Sequence, residues 1–436
     1  MEHLFVTSRS HYTIKHYHNL NNDKPNHITF INLNQHSTNQ PYTVSSIHSS
    51  NRTHEQSNPE RNCPCFLASL QPSQHLTTHI QTLTHNFHQY HPSPHPSITP
   101  NLEMDLSKEM WATIPSLVKN HYKQGNINWP MGIFITLVHV LAFIGLTTVT
   151  SCKWQTNLFA IALWPISAFG ITMGVHRLWS HRSYQANFIV RFVLMLCNTL
   201  ANQGSIYHWS RDHRVHHKHA ETNADPHDAT RGFFFAHIGW LFVKKHENVV
   251  KAGRELNFDD LKADPVVMLQ KKLDPWFPLF VCFILPGLIS IYWGENYWNG
   301  FFVAGALRYC VTLHFTWLVN SAAHLYGSHP YDPLSYPAEN GLVSILAVGE
   351  GWHNWHHKYP YDYAASEFGV TTQFNPSKFI IDCLAATGMV WGRKRATGAW
   401  ELAKVRRARD LANGIPPPVA PPRPWELKKI AQQKLE

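Results

Sequence analysis

The stretch Trp209–His219, WSRDHRVHHKH, places His213, His216 and His217 at offsets of zero, three and four. On a helix, residues three and four apart are neighbours, so these imidazoles share one face. Neutral imidazole binds divalent first-row metals well, which makes the face a candidate metal site. The spacing recurs at His353, His356 and His357 in GWHNWHHKYPYDY, and a looser pair, His176 and His181, sits in GVHRLWSHRSY. One such box could be a solvated histidine-rich face. Three in one chain point to a shared metal site.

The surrounding composition says where that site lies. The 436 residues carry a formal net charge of +9, and the mean hydropathy of −0.27 averages a very polar first hundred residues with long apolar runs. A basic chain suits nucleic acid, an anionic membrane surface or an anionic substrate, and apolar runs favour the last two. The seven cysteines are scattered, with neither a disulfide framework nor zinc-ribbon spacing. Residues 1–100 hold 14 of the 32 histidines at irregular intervals and show no sustained apolar period. They are expected to form a disordered polar tail, because such a segment buries too little apolar area to offset its ordering entropy. Its low acidity leaves an organellar transit peptide open.

Residues 101–128 form a pre-membrane segment. From Trp129 to Val149 the chain runs for 21 residues without a charge, about the length that crosses a bilayer core. A second run, Leu158–Val175, completes a first transmembrane hairpin over 129–175. Two further runs, Phe277–Trp293 and Phe301–Val319, give a second hairpin over 276–325, the former shortened by Pro278 and Pro286. Phe188–Leu200 is interrupted by Arg191 and Asn198 and reads as a buried or interfacial helix. His139, near the centre of the first run, reads as a hydrogen-bonding residue, and Arg308 and His314 in the fourth as buried polar groups.

No span separates the first two boxes, and two separate the second from the third, so all three face one compartment. The segment 176–275 carries 14 Lys and Arg, against one Lys in the two opposite loops, SCKWQTN and GENYWNG. The positive-inside rule therefore puts the boxes in the cytosol. The expected fold class is all-α: four transmembrane helices in two hairpins, with a cytosolic helical cap formed by 176–275 and 326–412, and a Pro-rich tail over 413–436. Thiolates, which structural zinc favours, are absent from the boxes. Open imidazole-rich sites suit Fe, Cu or Zn, the number of histidines suggests two ions, and iron also activates O₂.

GVHRLWSHRSY, RDHRVHHKHAETNADPHD, TWLVNSAAHLYG and EGWHNWHHKYPYDYAASEFG resemble the motifs of the membrane acyl-CoA Δ9 (stearoyl-CoA) desaturases, over about residues 125–400. The resemblance implies nine iron-liganding histidines: His176, His181, His213, His216, His217, His324, His353, His356 and His357. It also implies that Asn320 approaches one iron through water, that Arg211, Asp212, Lys244 and Lys245 contact coenzyme A, and that Trp317 lies near the acyl chain. Implied with these are two Fe²⁺ ions, O₂, an acyl-CoA substrate, cytochrome b5 with its NADH-dependent reductase as donor, and an endoplasmic reticulum location. A lipid-linked acyl substrate remains open, since Gly204 and Met131 stand where the animal enzymes offer Asn to the substrate, and a related histidine-box hydroxylase is the alternative that product analysis separates. Asp212, Asp225, Asp228, Glu350 and Asp362 are candidate partners for the histidines, without assigned pairs. Glu221 reads equally as a solvated charge. Trp164, twelve residues before His176, resembles the closed end of an acyl tunnel or an ordinary packing residue.

Overall fold

The computed structural model describes residues 115–420 apart from 117, together with Arg423 and the backbone of three short strands near the N-terminus. Those strands, β1 (Leu4–Phe5), β2 (Tyr12–Lys15) and β3 (Thr29–Asn32), pair antiparallel in the order β1-β2-β3 within a unit of their own, Met1–Pro96. The rest of the expected polar tail and most of the chain past 420 lie outside the described residues.

The second unit is helical, and four of its helices are long and apolar enough to cross a membrane: α1 (Trp129–Ser151), α2 (Trp154–Ser180), α5 (Trp276–Trp293) and α6 (Tyr297–Leu325). Pro130 starts α1, where its missing N–H costs nothing. Between the hairpins stand α3 (Phe188–Ala201) and α4 (Ile206–His219), and α7 (His353–Lys358), α8 (Pro376–Ala386) and α9 (Thr397–Ala412) follow α6. The chain is thus a multi-pass membrane protein with the expected two hairpins and a helical cap. At the turn end, the hairpins are tied together by the buried Glu295, which accepts from Lys153 N at 2.7 Å and Thr156 Oγ1 at 2.9 Å.

Two spans run further than their apolar stretches. The 27 residues of α2 and the 29 of α6 come to about 40 and 44 Å at 1.5 Å per residue, beyond a bilayer core of about 30 Å. The excess places His176 and His324 beyond the apolar stretches. Hydropathy ended both runs early because these extensions are packed by protein, and all eleven residues of Gly170–Ser180 are buried.

That same segment is wound as a π-helix. His181 N–H donates to His176 O at 3.1 Å, a bond five residues apart that brings both imidazoles to one side. On an α-helix they would diverge, which explains why their spacing looked loose. Gly170 permits the close crossing of α2 and α3 that supports this turn: a Cβ there would lie 2.1 Å from Asn198 N.

α3 does not span, as expected. Asn187 caps it by accepting from Val190 N, and Asn202 ends it in the left-handed conformation at φ 46°. It buries Val190, Leu194, Met195 and Asn198 and exposes Phe188, Ile189 and Val193. Ser205 caps α4, its side chain accepting from His208 N. The largest core packs the end of α2 against α3, α4 and Ile381 of α8, while a second joins α1, α5 and α6 through Val138, Phe283 and Leu313. Strands β4 (Gln185–Ala186) and β5 (Val390–Trp391) clip the segment after the first box to the one after α8.

Candidate metal centre

All nine boxed and implied histidines meet at one end of the bundle, in two sets. In one set, the ligating nitrogens of His176, His181, His213, His217 and His356 lie within 4.8 Å of one another, as do those of His216, His324, His353 and His357 in the other. The three boxes therefore share one side, as the count of spans required.

The boxes divide in a way that helical geometry explains. In each H-x₂-HH box the residues four apart share a set, His213 with His217 on α4 and His353 with His357 on α7. The remaining member, His216 or His356, turns to the other set. Each helix thus contributes to both.

Six short contacts join these rings, and every one runs from Nε2 to Nε2. They are His176–His356 at 2.9 Å, His181–His213 at 2.8 Å, His217–His356 at 2.9 Å, His216–His357 at 3.3 Å, His324–His353 at 3.0 Å and His353–His357 at 3.1 Å. A metal–imidazole bond of about 2.1 Å sets nitrogens at right angles about 3.0 Å apart. The spacing is that of donors around an ion.

Three carboxylates orient the rings from behind. His176 Nδ1 lies 2.9 Å from Glu350, His216 Nδ1 donates to Asp225 Oδ1 at 2.9 Å, and His324 Nδ1 donates to Glu221 Oε1 at 2.6 Å. A proton held on Nδ1 leaves the Nε2 lone pair pointing inward. Arg177, fully buried beside His176, binds Glu350 Oε1 through two guanidinium nitrogens at 2.9 and 2.7 Å. Asp225 also accepts from the backbone N–H of Glu221 and His227.

Burial, and then the field of neighbouring imidazoles, holds His181, His213, His217, His353, His356 and His357 well below the ordinary histidine pKa. They are neutral near pH 7, the form that ligates. Burial opposes a charge on His216 too, but Asp225 and Glu221 raise it on balance. The donor set of neutral imidazoles, without thiolate, fits two borderline first-row ions, iron among them.

Of the candidate carboxylates, Asp225 and Glu350 reach histidines and three do not. Asp212 pairs with Arg211 and Lys245, Asp228 accepts from Thr230, and Asp362 binds Arg395. Glu221, which read equally as solvated, is instead a histidine partner. It sits just past α4 with φ 57°, a loop position that helical spacing does not reveal. The ring of His227 packs 4.3 Å from that of His216.

A cleft of about 580 Å³ opens from both sets and runs between α2 and α6. Its polar end holds His176, His213, His216, His353 and Asn320, and its walls are Ala168, Ile171, Phe315, Val319 and Ala347. Trp164 lies at the apolar end, edge-on to Phe315 at 5.4 Å. Trp317, expected near an acyl chain, packs behind this wall in the core of α1, α5 and α6, beside His237 and His314. Lys244 and Lys245 line a second cavity of about 390 Å³ beyond Asp225.

A multi-span helical membrane protein whose histidines could hold two metal ions at the mouth of an apolar cleft is built to oxidise a lipid chain. Residues 153–365 match the fatty acid desaturase family model. The chain is 51% identical over 283 residues to acyl-CoA desaturase 3 of Mus musculus, covering 65% of this chain and 78% of that protein. It is 50% identical over 283 residues to stearoyl-CoA desaturase of Homo sapiens, with the same coverage, and 48% identical over 286 residues to stearoyl-CoA desaturase 5 of Homo sapiens, covering 65% and 86%. The chain belongs to the acyl-CoA desaturase family and is an oxidoreductase.

Proposed function

We propose that this chain introduces a cis double bond, at Δ9, into a saturated long-chain acyl-CoA. In this reading the nine histidines hold two iron ions, with Asn320 reaching one of them through water. O₂ is the oxidant, and cytochrome b5 with its NADH-dependent reductase supplies the electrons. The enzyme sits in the endoplasmic reticulum membrane with its site facing the cytosol, where the basic cap suits an acidic electron donor. The observation that carries the reading is the pair of histidine sets at the polar end of an apolar, membrane-embedded cleft.

A methylene has no acidic proton and no polarised bond, so its oxidation needs more than a side chain offers. Bound iron supplies that chemistry by activating O₂. The protein supplies position. Ile171, Phe315 and Val319 bury the acyl chain and exclude water, holding one C–C bond at the histidine end. Trp164 limits how far the chain enters. Glu350, Asp225 and Glu221 keep their histidines in the tautomer that ligates. Arg211, Lys244 and Lys245 offer positive charge to coenzyme A phosphates, with Asp212 bridging Arg211 and Lys245 and fixing their orientation.

Expression in a desaturase-deficient yeast tests the reading by fatty-acid analysis. New Δ9 monounsaturated acids are expected. Hydroxylated acids would indicate the hydroxylase chemistry instead, and no new product from iron-loaded protein with a working donor would overturn it.

A further inference from the structure

A second cluster of ligating groups lies apart from the centre, within the membrane-spanning helices. His139 on α1 and Cys310 and His314 on α6 place their donor atoms within 4.8 Å of one another. Cys310 and His314 stand four apart and so share a face of α6. His139 Nε2 and His314 Nε2 are 3.1 Å apart.

The hydrogen bonds around the pair fix what those nitrogens carry. Ile135 O can only accept, so His139 Nδ1, 2.7 Å away, holds the proton and leaves Nε2 a lone pair. On the other side, Ser321 Oγ donates to Trp317 O at 2.9 Å and therefore accepts from His237 Nδ1, also 2.9 Å away. His237 Nε2 is then an acceptor, and His314 Nδ1, 3.0 Å from it, must donate. His314 Nε2 is left as a lone pair facing that of His139. Two lone pairs at that distance repel, and a cation between them removes the conflict.

We propose that His139, Cys310 and His314 form a third metal site, for a soft monovalent cation of the copper(I) type, that cross-links the first and fourth spans. Thiolate with imidazole suits copper(I) and zinc(II). Charge decides between them: copper(I) with one thiolate is neutral, whereas zinc(II) would leave a net positive charge among apolar spans, where charge is costly. The desaturase centre has no thiolate, so the two sites differ in metal preference. This site does not depend on the desaturase reading, and either can fail alone.

Full-length protein in detergent, titrated with copper(I) against a chromogenic chelator, tests the assignment. Wild type should bind one more tight equivalent than Cys310→Ser and one more than His139→Gln, with iron content and desaturation unchanged in both. Histidines and cysteines of the N-terminal tail are common to all three proteins and cancel. Equal copper in all three would overturn the site and leave a purely hydrogen-bonded chain, with the Ser321 hydroxyl turned to His237. Copper loss that appears in both variants only together with iron loss would mark a folding defect and overturn it as well.

Discussion

The two histidine sets differ in how they are finished. The first has five imidazoles, one of them backed by a carboxylate, Glu350, which Arg177 grips from the protein interior. The second has four imidazoles, two of them backed, by Asp225 and Glu221, and the cleft brings Asn320 to the same end. The first set is the more complete cage and depends on a buried ion pair. The second holds fewer rings, two of them oriented from behind, and keeps room for a weaker ligand. Two ions bound here would not be equivalent.

The hardest test of that difference removes a ligand outright. His213→Ala should abolish desaturation, by more than the roughly 100-fold that outer partners carry, and should cost one iron of two while the protein still inserts. Normal activity would refute the placement of His213. Next in size, Glu350→Gln and Glu221→Gln should each lower activity or iron affinity roughly 10- to 100-fold. Iron titration should show the first weakening one site and the second weakening the other. If both variants lose the same ion, the division into two sets is wrong. Asn320→Ala should act on the second site only, by about tenfold, the low end expected for a group acting through an intermediary, and chiefly on kcat. The smallest change is expected at Trp164→Ala, which opens the far end of the cleft. Product analysis should show the preferred acyl length rising by about two methylenes, each worth about 0.8 kcal/mol of burial. Unchanged chain length would make Trp164 a packing residue.

The sequence made some of this legible and hid the rest for definite reasons. His213, His216 and His217, and their counterparts on α7, were found by spacing because α4 and α7 are ordinary helices with neighbours at three and four. The four spans were visible as uncharged runs. His176 and His181 were harder, since their juxtaposition needs the π-helical turn that no period of 3.6 expresses. His324 and Asn320 stand alone in the sequence and came only through resemblance to a family. Arg177 stands beside a box in the sequence, and no spacing marks that its side chain is buried on Glu350. Glu221 and Asp225 act from a loop, where no periodicity marks which carboxylate turns inward. Which member of each box serves which set also needed coordinates, because the division depends on where α4 and α7 face each other.

That division has a consequence for assembly of the centre. α4 and α7 each build part of both sets, so an ion captured by one set fixes the same two helices that the other requires. The first ion meets most of the ordering cost, and the second binds to a prearranged site. Filling of the intact centre should therefore be steeper than that of a variant with one damaged set, in which the remaining set orders both helices alone.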